Sequence, residues 1–463
     1  MSETGGPETQ SLLNRLRRYG SHLSSTEYRQ FFRDVAVYAG GGMLIRSVSF
    51  LTVPIVARTM SQQEFAVLDV IAALQALGGV LIGLNLDTSL ARYYYEYRNE
   101  ADRKRLVASL ISTVALLGAV AVVCVSLASS RLSVLLFQSN AYAAALAYSS
   151  VGIPIGAVGI MGLSVIRFDK KPVEFALVSF AGAVIQFGLV IAVLEKYGAD
   201  VSRVVLAQVA GQAVVLAMVT VRNRRIVALM FDRTVLRRSL GFSLPQYPSV
   251  FISWYLNSAN RFFMISLGSL TVVSTFAVAS KVNGVLLGFM AAFANAWLPF
   301  ATSIMHSEGA KRVYANIMYV IVILLSALTV VSVLVVPAFL RLYAGPMYAG
   351  AAFPATVLIM ATCIGSGFGW FLAIGLYLRE KSVYFTIAQV GTFVANTTLN
   401  VLLIPLWGAD GAALAVLAGS FVQVVLLAYF SNRVYPLPHR KEIWLFPAFA
   451  FGVILVAKLI VGP

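Results

Sequence analysis

From residue 34 onward the chain alternates long apolar blocks with short polar ones. Each block runs for about 18 or more residues, the length a helix needs to cross the hydrocarbon core of a bilayer. Thirteen blocks meet that requirement, at 34–57, 66–86, 106–128, 142–166, 174–195, 204–221, 242–268, 271–303, 314–340, 350–377, 383–404, 410–431 and 443–461. The pattern predicts an all-α polytopic membrane protein. Composition agrees, because 59% hydrophobic and 12% charged residues lie far from the averages of soluble domains.

The polar connections carry the orientation. The net charge of +16 invites a nucleic-acid reading, but the placement of the cations argues for topology instead. Of the 35 Lys and Arg, five (Arg58, Arg131, Lys196, Arg203 and Arg341) fall in one set of alternate loops, and four (Arg46, Arg261, Lys281 and Lys458) fall within blocks. All the others lie in the opposite set, which begins with the N-terminal segment. Cytoplasmic loops are the ones enriched in Lys and Arg, so the N-terminus is expected inside and, after thirteen crossings, the C-terminus outside. Lys458, close to the chain end, is expected to snorkel to the interface.

Residues 1–33 carry scattered charge and no apolar core of a cleavable signal. Within them "SLLNRLRRYGSHLSSTEYRQFFR" (11–33) sets Leu12, Leu13, Leu16 and Tyr19 at helical spacing beside Arg15, Arg17 and Arg18. Either an amphipathic helix on an anionic membrane surface or a partly ordered basic tail fits this segment.

The chain also repeats itself. "FAVLDVIAAL" (65–74) aligns with "FAVASKVNGV" (276–285), each opening a helix after a short outer loop. Each match follows a basic segment and a block with an embedded arginine, Arg46 in one half and Arg261 in the other. A duplicated six-helix unit is implied, and since six is even, both copies share one orientation about an axis along the membrane normal. The divisions expected are a basic cytoplasmic segment at 1–33, lobes at 34–221 and 242–431, a basic linker at 222–241, and a further loop and helix at 432–463.

Ionisable groups deep in a membrane helix are functional candidates by default. Arg46 stands about twelve residues into its block, roughly 18 Å along a helix and near the middle of a ~30 Å core. Small neighbours, Gly42 and Ser49, leave room beside it. The seventh block places Gln246, Ser249, Ser253, Asn257, Asn260 and Arg261 along one helical face, with Pro245 and Pro248 near its inner end. Such a stripe packs on other polar helices or lines an aqueous path. Lys281 adds a third deep cation, with Asn283 nearby. Arg46, Arg261 and Lys281 therefore line a path or form a buried ion pair that locks helices together. Gln389, Thr392, Asn396 and Asn400 make a weaker stripe, assigned to interhelical hydrogen bonds. Asp69, Asp87 and Glu174 lie near helix ends, where they are either interfacial residues or ligands of a coupling ion, Na⁺ or H⁺.

No catalytic constellation emerges. His22, His306 and His439 are scattered over loops and tail, and Cys124 and Cys363 are lone residues within blocks. There is no H-E-x-x-H, no C-x-x-C and no phosphate loop ending in lysine. "AGGG" (39–42) fits close helix packing or bending. No cofactor is implied.

Three stretches resemble the polysaccharide and O-antigen flippases (Wzx type) of the multidrug/oligosaccharidyl-lipid/polysaccharide (MOP) exporter superfamily: "VPIVARTMSQQEFAVLDVIAAL" (53–74), "LNLDTSLARYYYEYRNEADRKRLVAS" (84–109) and "LNVLLIPLWGADGAALAVLAGSFV" (399–422). The resemblance covers about residues 31–431 and implies a MATE/MOP-like core of twelve helices in two six-helix lobes, plus an extra C-terminal helix. It implies alternating access that carries an undecaprenyl-diphosphate-linked oligosaccharide, for O-antigen, capsule or exopolysaccharide, across a bacterial or archaeal plasma membrane. A cationic cavity would hold the head group, with Arg46, Arg261 and Lys281 as its cations and Gln246, Ser253, Asn257 and Asn260 meeting sugar. The expected partners are that substrate, membrane lipids, and a polysaccharide polymerase with its export machinery; no nucleic acid is expected. Two departures stand out: Asn260-Arg261 replaces the Asp-Arg frequent in relatives, and a thirteenth block lacks a fourteenth. A lipid II flippase is the nearest rival. A drug/cation antiporter would favour a deep acidic site, whereas the deep charges here are basic. A membrane glycosyltransferase or polymerase would need a domain that these short loops do not supply, and a non-transporting assembly subunit is a further alternative.

Overall fold

The computed structural model describes residues 47–438 apart from Ser49, Arg98, 224–228 and Glu308, together with Ile443, Leu445, Phe446, Phe449, Gly452, Val453 and Lys458. Arg46 and the segment 11–33 lie outside the described residues. Everything regular among the described residues is helical.

The first lobe comprises α1 (Phe50–Thr59), α2 (Gln62–Gly83), the short α3 (Leu86–Tyr93), α4 (Glu100–Phe137), α5 (Ala143–Phe168), α6 (Pro172–Tyr197) and α7 (Val201–Arg222). A linker helix, α8 (Arg233–Ser243), leads to α9 (Tyr247–Ser258) and α10 (Asn260–Leu267). The second lobe continues with α11 (Leu270–Ser303), α12 (Ala310–Tyr343), α13 (Ala352–Thr362), a π-turn at Cys363–Phe368, α14 (Gly369–Leu372), α15 (Ile374–Leu378) and α16 (Val383–Val434). Among the described residues, nine helical stretches are long and apolar enough to cross a membrane. One of them, α16, folds back on itself at Gly408. Its second limb, α1 and the α9–α10 rod bring the crossings among the described residues to twelve.

The turn inside α16 depends on two glycines. Gly408 takes φ +53° and ψ −122°, a conformation that a side chain strongly disfavours. At Gly411 an added Cβ would sit 2.2 Å from the Leu403 carbonyl oxygen. The third stretch of family resemblance, "PLWGADGAA" at its centre, is therefore a hairpin of two membrane helices.

The lobes repeat each other. In the first, α5 packs on α2, α4 and α7; in the second, α13 packs on α11, α12 and α16. Both central helices carry an irregular feature, Pro154 within α5 and the π-turn in the α13 rod. Lipid offers no hydrophobic drive for helices to associate, so close packing must supply it. Gly162 and Gly182 illustrate this, since a Cβ there would fall within 2.1 Å of Val219 and 2.2 Å of Val215. Leu127, Leu135 and Leu342 stand more than 70% exposed on the outer surface, where the bilayer covers them.

The described residues of the thirteenth block lie against the second lobe. Phe446 is buried with its ring edge-on to Phe368, 5.8 Å between centroids. Lys458 Nζ lies 2.9 Å from Asp410 Oδ2 and over the Phe353 ring. Lys458 thus reaches the end of the molecule where α16 turns, and it pairs with a carboxylate there.

The linker helix α8 is strapped to the first lobe. Asp232 caps it, accepting from the backbone N–H of Thr234 and Val235. The Ser109 and Ser112 hydroxyls accept from the backbone N–H of Asp232 and Met230, and the Ser89 hydroxyl donates to the Ser239 carbonyl. Arg238 pairs with Glu96 and lies over the Tyr93 ring. The start of α9 is held against the first lobe in this way, although most of that rod packs on α16.

Candidate functional site

Two helix starts converge between the lobes. Helix α2 opens with a capping box, in which the Ser61 hydroxyl accepts from the Glu64 N–H and the Glu64 carboxylate accepts from the Ser61 N–H. Helix α11 opens on Ser269, whose hydroxyl accepts from the Val272 N–H. These are the two repeated segments, and they pack against each other. A pair of copies related by an axis meets through equivalent surfaces, so Asp69 of one copy lies beside Lys281 of the other.

Asp69 is the centre of the contact. Its carboxylate is 4% exposed and lies 2.5 Å from Arg261 Nε and 3.4 Å from Lys281 Nζ. Arg261 also donates through Nη1 to the Asn257 carbonyl, 2.9 Å away. Arg261 is buried; Lys281 keeps 43% of its side chain exposed. Two cations share one carboxylate, which leaves one positive charge in excess. Desolvation makes an unpaired charge costly at such a site, so each group depends on the others.

One end of the molecule is shut around this trio. Arg58 donates to the Leu342 carbonyl, Gln62 Nε2 to the Met347 carbonyl at 2.9 Å, and the Tyr343 hydroxyl to the Phe50 carbonyl at 2.6 Å. The Phe50 and Tyr343 rings stack 4.4 Å apart. Every one of these contacts joins α1 or α2 to the end of α12 or the turn after it.

Toward the other end, which carries the basic loops, the structure is hollow. A cavity of about 400 Å³ is lined by Asp69 and Lys281 with Thr52, Gln186 and Gln208. A second, of about 580 Å³, shares Thr52, Gln186 and Gln208 and extends between α5, α6 and α7 to Asp87 and Arg167. The two adjoin through those shared residues, giving a course from the basic loops to the Asp69 trio. Near its basic end the Tyr94 hydroxyl donates to Asp169 Oδ1 at 2.6 Å. Burial, and then this carboxylate, hold the Tyr94 phenol above the usual tyrosine range.

The residues singled out from the sequence are distributed as follows. Arg261, Lys281 and Asp69 come together, and Asp87 stands exposed in the first turn of α3, on the wall of the second cavity. Glu174 forms a half-exposed pair with Arg222, Nε to Oε2 2.5 Å, and with Lys171. Gln246, Ser253 and Asn257 each donate to a carbonyl four residues back on their own chain. Asn260 is buried within the second lobe, where its side-chain oxygen accepts from Asn400 at 2.7 Å. Asn400 also donates to Asn396, and Thr392 and Asn396 are buried with it. The polar face expected to run unbroken along the seventh crossing is interrupted at Ala259, where α9 gives way to α10. Gln186 and Gln208 were not singled out. Their signal was a lone amide in the middle of an apolar block, "AVIQFG" and "VLAQVAG", outweighed there by the charged residues.

A family model described as "polysaccharide biosynthesis protein" matches residues 31–305. Among curated proteins none matches by sequence. Several solved structures share the fold. The lipid II flippase MurJ in an inward closed conformation superposes with a TM-score of 0.65 at 13% identity, covering 94% of this chain and 98% of that one. A MATE family multidrug resistance transporter of the MOP superfamily, inward-facing, gives 0.60 at 16% identity, covering 89% and 96%. A mutant of the Vibrio cholerae MATE transporter VcmN gives 0.59 at 13% identity, covering 91% and 99%. At these identities the likeness is one of fold: an all-α, two-lobed MOP-type transporter architecture.

Proposed function

Because the chain belongs to the polysaccharide biosynthesis protein family, we propose that it flips a lipid-linked oligosaccharide, carried on undecaprenyl diphosphate, by alternating access. The observation that carries this reading is the excess cation beside Asp69, set at the closed end of an inter-lobe cavity. A diphosphate offers Arg261 and Lys281 what Asp69 offers them now, oxygen acceptors of negative charge, and guanidinium matches phosphate in a bidentate way. A head group entering from the basic end meets Lys281 first, the more exposed of the two. As it takes over the cations, Asp69 loses the partners that hold α2 to the second lobe. Substrate binding and release of the closed end are thereby linked, because one set of cations serves both.

In this reading the basic end faces the cytoplasm of a bacterial plasma membrane and the closed end faces outward, with the N-terminus inside and the C-terminus outside. The product feeds O-antigen, capsule or exopolysaccharide assembly, with a polymerase and export machinery as partners. Coupling to Na⁺ or H⁺ is assigned to Asp87, which lines the second cavity and forms no ion pair among the described residues. Asp69 already has two cationic partners. The deciding measurement is the sidedness of lipid-linked oligosaccharide in cells depleted of the protein and complemented with wild type or Lys281→Ala at matched abundance. Trapping on the cytoplasmic leaflet, unrelieved by Lys281→Ala, is expected. Accumulation outside in unpolymerised form would place the protein after translocation.

A further inference from the structure

Helix α11 carries an exposed row that starts at the central cavity and ends in a separate slot. Lys281, Val285, Phe289 and Phe293 follow one another at intervals of four, so they stack along one side of the helix. All are exposed, Lys281 at 43% of its side chain and the others at 40%, 54% and 37%. Lys281 and Val285 line the central cavity. Phe289 and Phe293 instead line a cavity of about 330 Å³ within the second lobe, walled by α12, the π-turn and Trp370. Leu324 and Trp370, on its wall, are exposed. Trp297, also on its wall, is buried, and its indole N–H has no hydrogen-bond partner among the described residues. Leaving a buried donor unpaired costs free energy.

Resting on the lipid-linked oligosaccharide reading, we propose that this slot seats the polyprenyl tail of the molecule whose anionic head meets Lys281. The row makes the two cavities parts of one course. From Lys281 to Phe289 is eight residues, about 12 Å of helix rise, a short span for a long amphiphile. The walls are apolar, with Leu324 and Trp370 exposed among them. An isoprenoid chain offers π electrons to the unpaired Trp297 N–H, which a saturated acyl chain does not. The tail is thereby attached to the second lobe and turns with it, while the first lobe moves past.

Because lipid is as apolar as the slot, seating the tail gains packing and little transfer free energy. The test is binding of polyprenyl diphosphates to the whole protein in phosphatidylcholine nanodiscs, with concentrations expressed per mole of lipid. A 55-carbon diphosphate is expected to bind about tenfold more tightly than a 10-carbon one, the scale of a set of added dispersion contacts. Ser366→Phe, which fills the slot, is expected to remove that advantage and leave the short-chain affinity unchanged. In the unmutated protein a diazirine on the isoprenoid chain is expected to label Phe289, Phe293, Trp297 and Trp370, in competition with unlabelled diphosphate and not with phosphatidylglycerol. Equal affinity for both chain lengths, or labelling elsewhere, overturns the slot and leaves the substrate reading standing. Competition by phosphatidylglycerol also overturns it, in favour of an ordinary acyl chain. Failure of both diphosphates to bind overturns the substrate reading and the slot with it.

Discussion

Asp69 serves two cations from the other lobe, and the three groups differ in what each stands to lose. Replacing Asp69 by Asn leaves Arg261 charged and buried without its carboxylate, a change that costs about 3 kcal/mol or more. Lys281 is nearly half exposed, so its share of the ion pair is screened by solvent and its loss costs under ~1 kcal/mol. Thermal unfolding in detergent should therefore show Asp69→Asn well below wild type and Lys281→Ala close to it, whereas transport should suffer in both. Equal destabilisation by the two would refute this division of roles. The sequence marked all three residues as ionisable groups in membrane helices, and it left open whether the cations line a path or lock helices. It did not show that they share a carboxylate. Asp69 and Arg261 stand 192 residues apart, and periodicity fixes which face of a helix is polar without fixing which helix that face meets. The repeat contained part of the answer, since it sets Lys281 opposite Val70, the neighbour of Asp69.

Among the elements, hairpins were more legible than breaks. The blocks ending at 404 and resuming at 410 place a turn across "PLWGADGAA", and the structure turns there because Gly408 occupies a region hostile to any side chain. Gly408→Ala is expected to cost about 1–3 kcal/mol, measured as a fall in the midpoint of thermal unfolding; an unchanged midpoint would mean the turn has another conformation in the membrane. The interruption between α9 and α10 carries no such residue, since Ala259 is an ordinary helix former. Asn260 turns toward Asn400 for a partner that lies far along the chain, which is why the polar stripe read from the sequence is divided. For the linker, Asp232→Ala removes the cap of α8, worth about 1 kcal/mol. Faster proteolytic cutting on the N-terminal side of Arg233, relative to wild type, is the expected readout.

At the scale of the molecule, the lobes are joined at one end and apart at the other. Gln62 and Met347 meet across the joined end, so cysteines at these two positions should cross-link under oxidation, halt export, and recover it when a reductant is added. Export that continues with the cross-link in place would show that this end need not open. The span count, the duplication and the sorting of cations into one set of loops are all legible in the sequence, because hydropathy and charge are sums over many residues. The course of the cavity was not, because it depends on how two lobes are tilted. One feature of the second lobe bears on how the chain is made. Its central helix α13 has Phe353 beneath Lys458, the π-turn after it has Phe368 against Phe446, and Asp410 at the α16 turn completes the Lys458 contact. The central helix of the first lobe, α5, packs on α2, α4 and α7, all made before the linker, and only the faces of α1 and α2 that meet the second lobe, Asp69 among them, wait for it. During synthesis that core can form while the second lobe is still emerging. The second lobe must wait in the membrane, its core uncovered, until residue 458 has left the ribosome, and that interval is when it is most open to chaperones, to proteases and to pairing with the wrong helix.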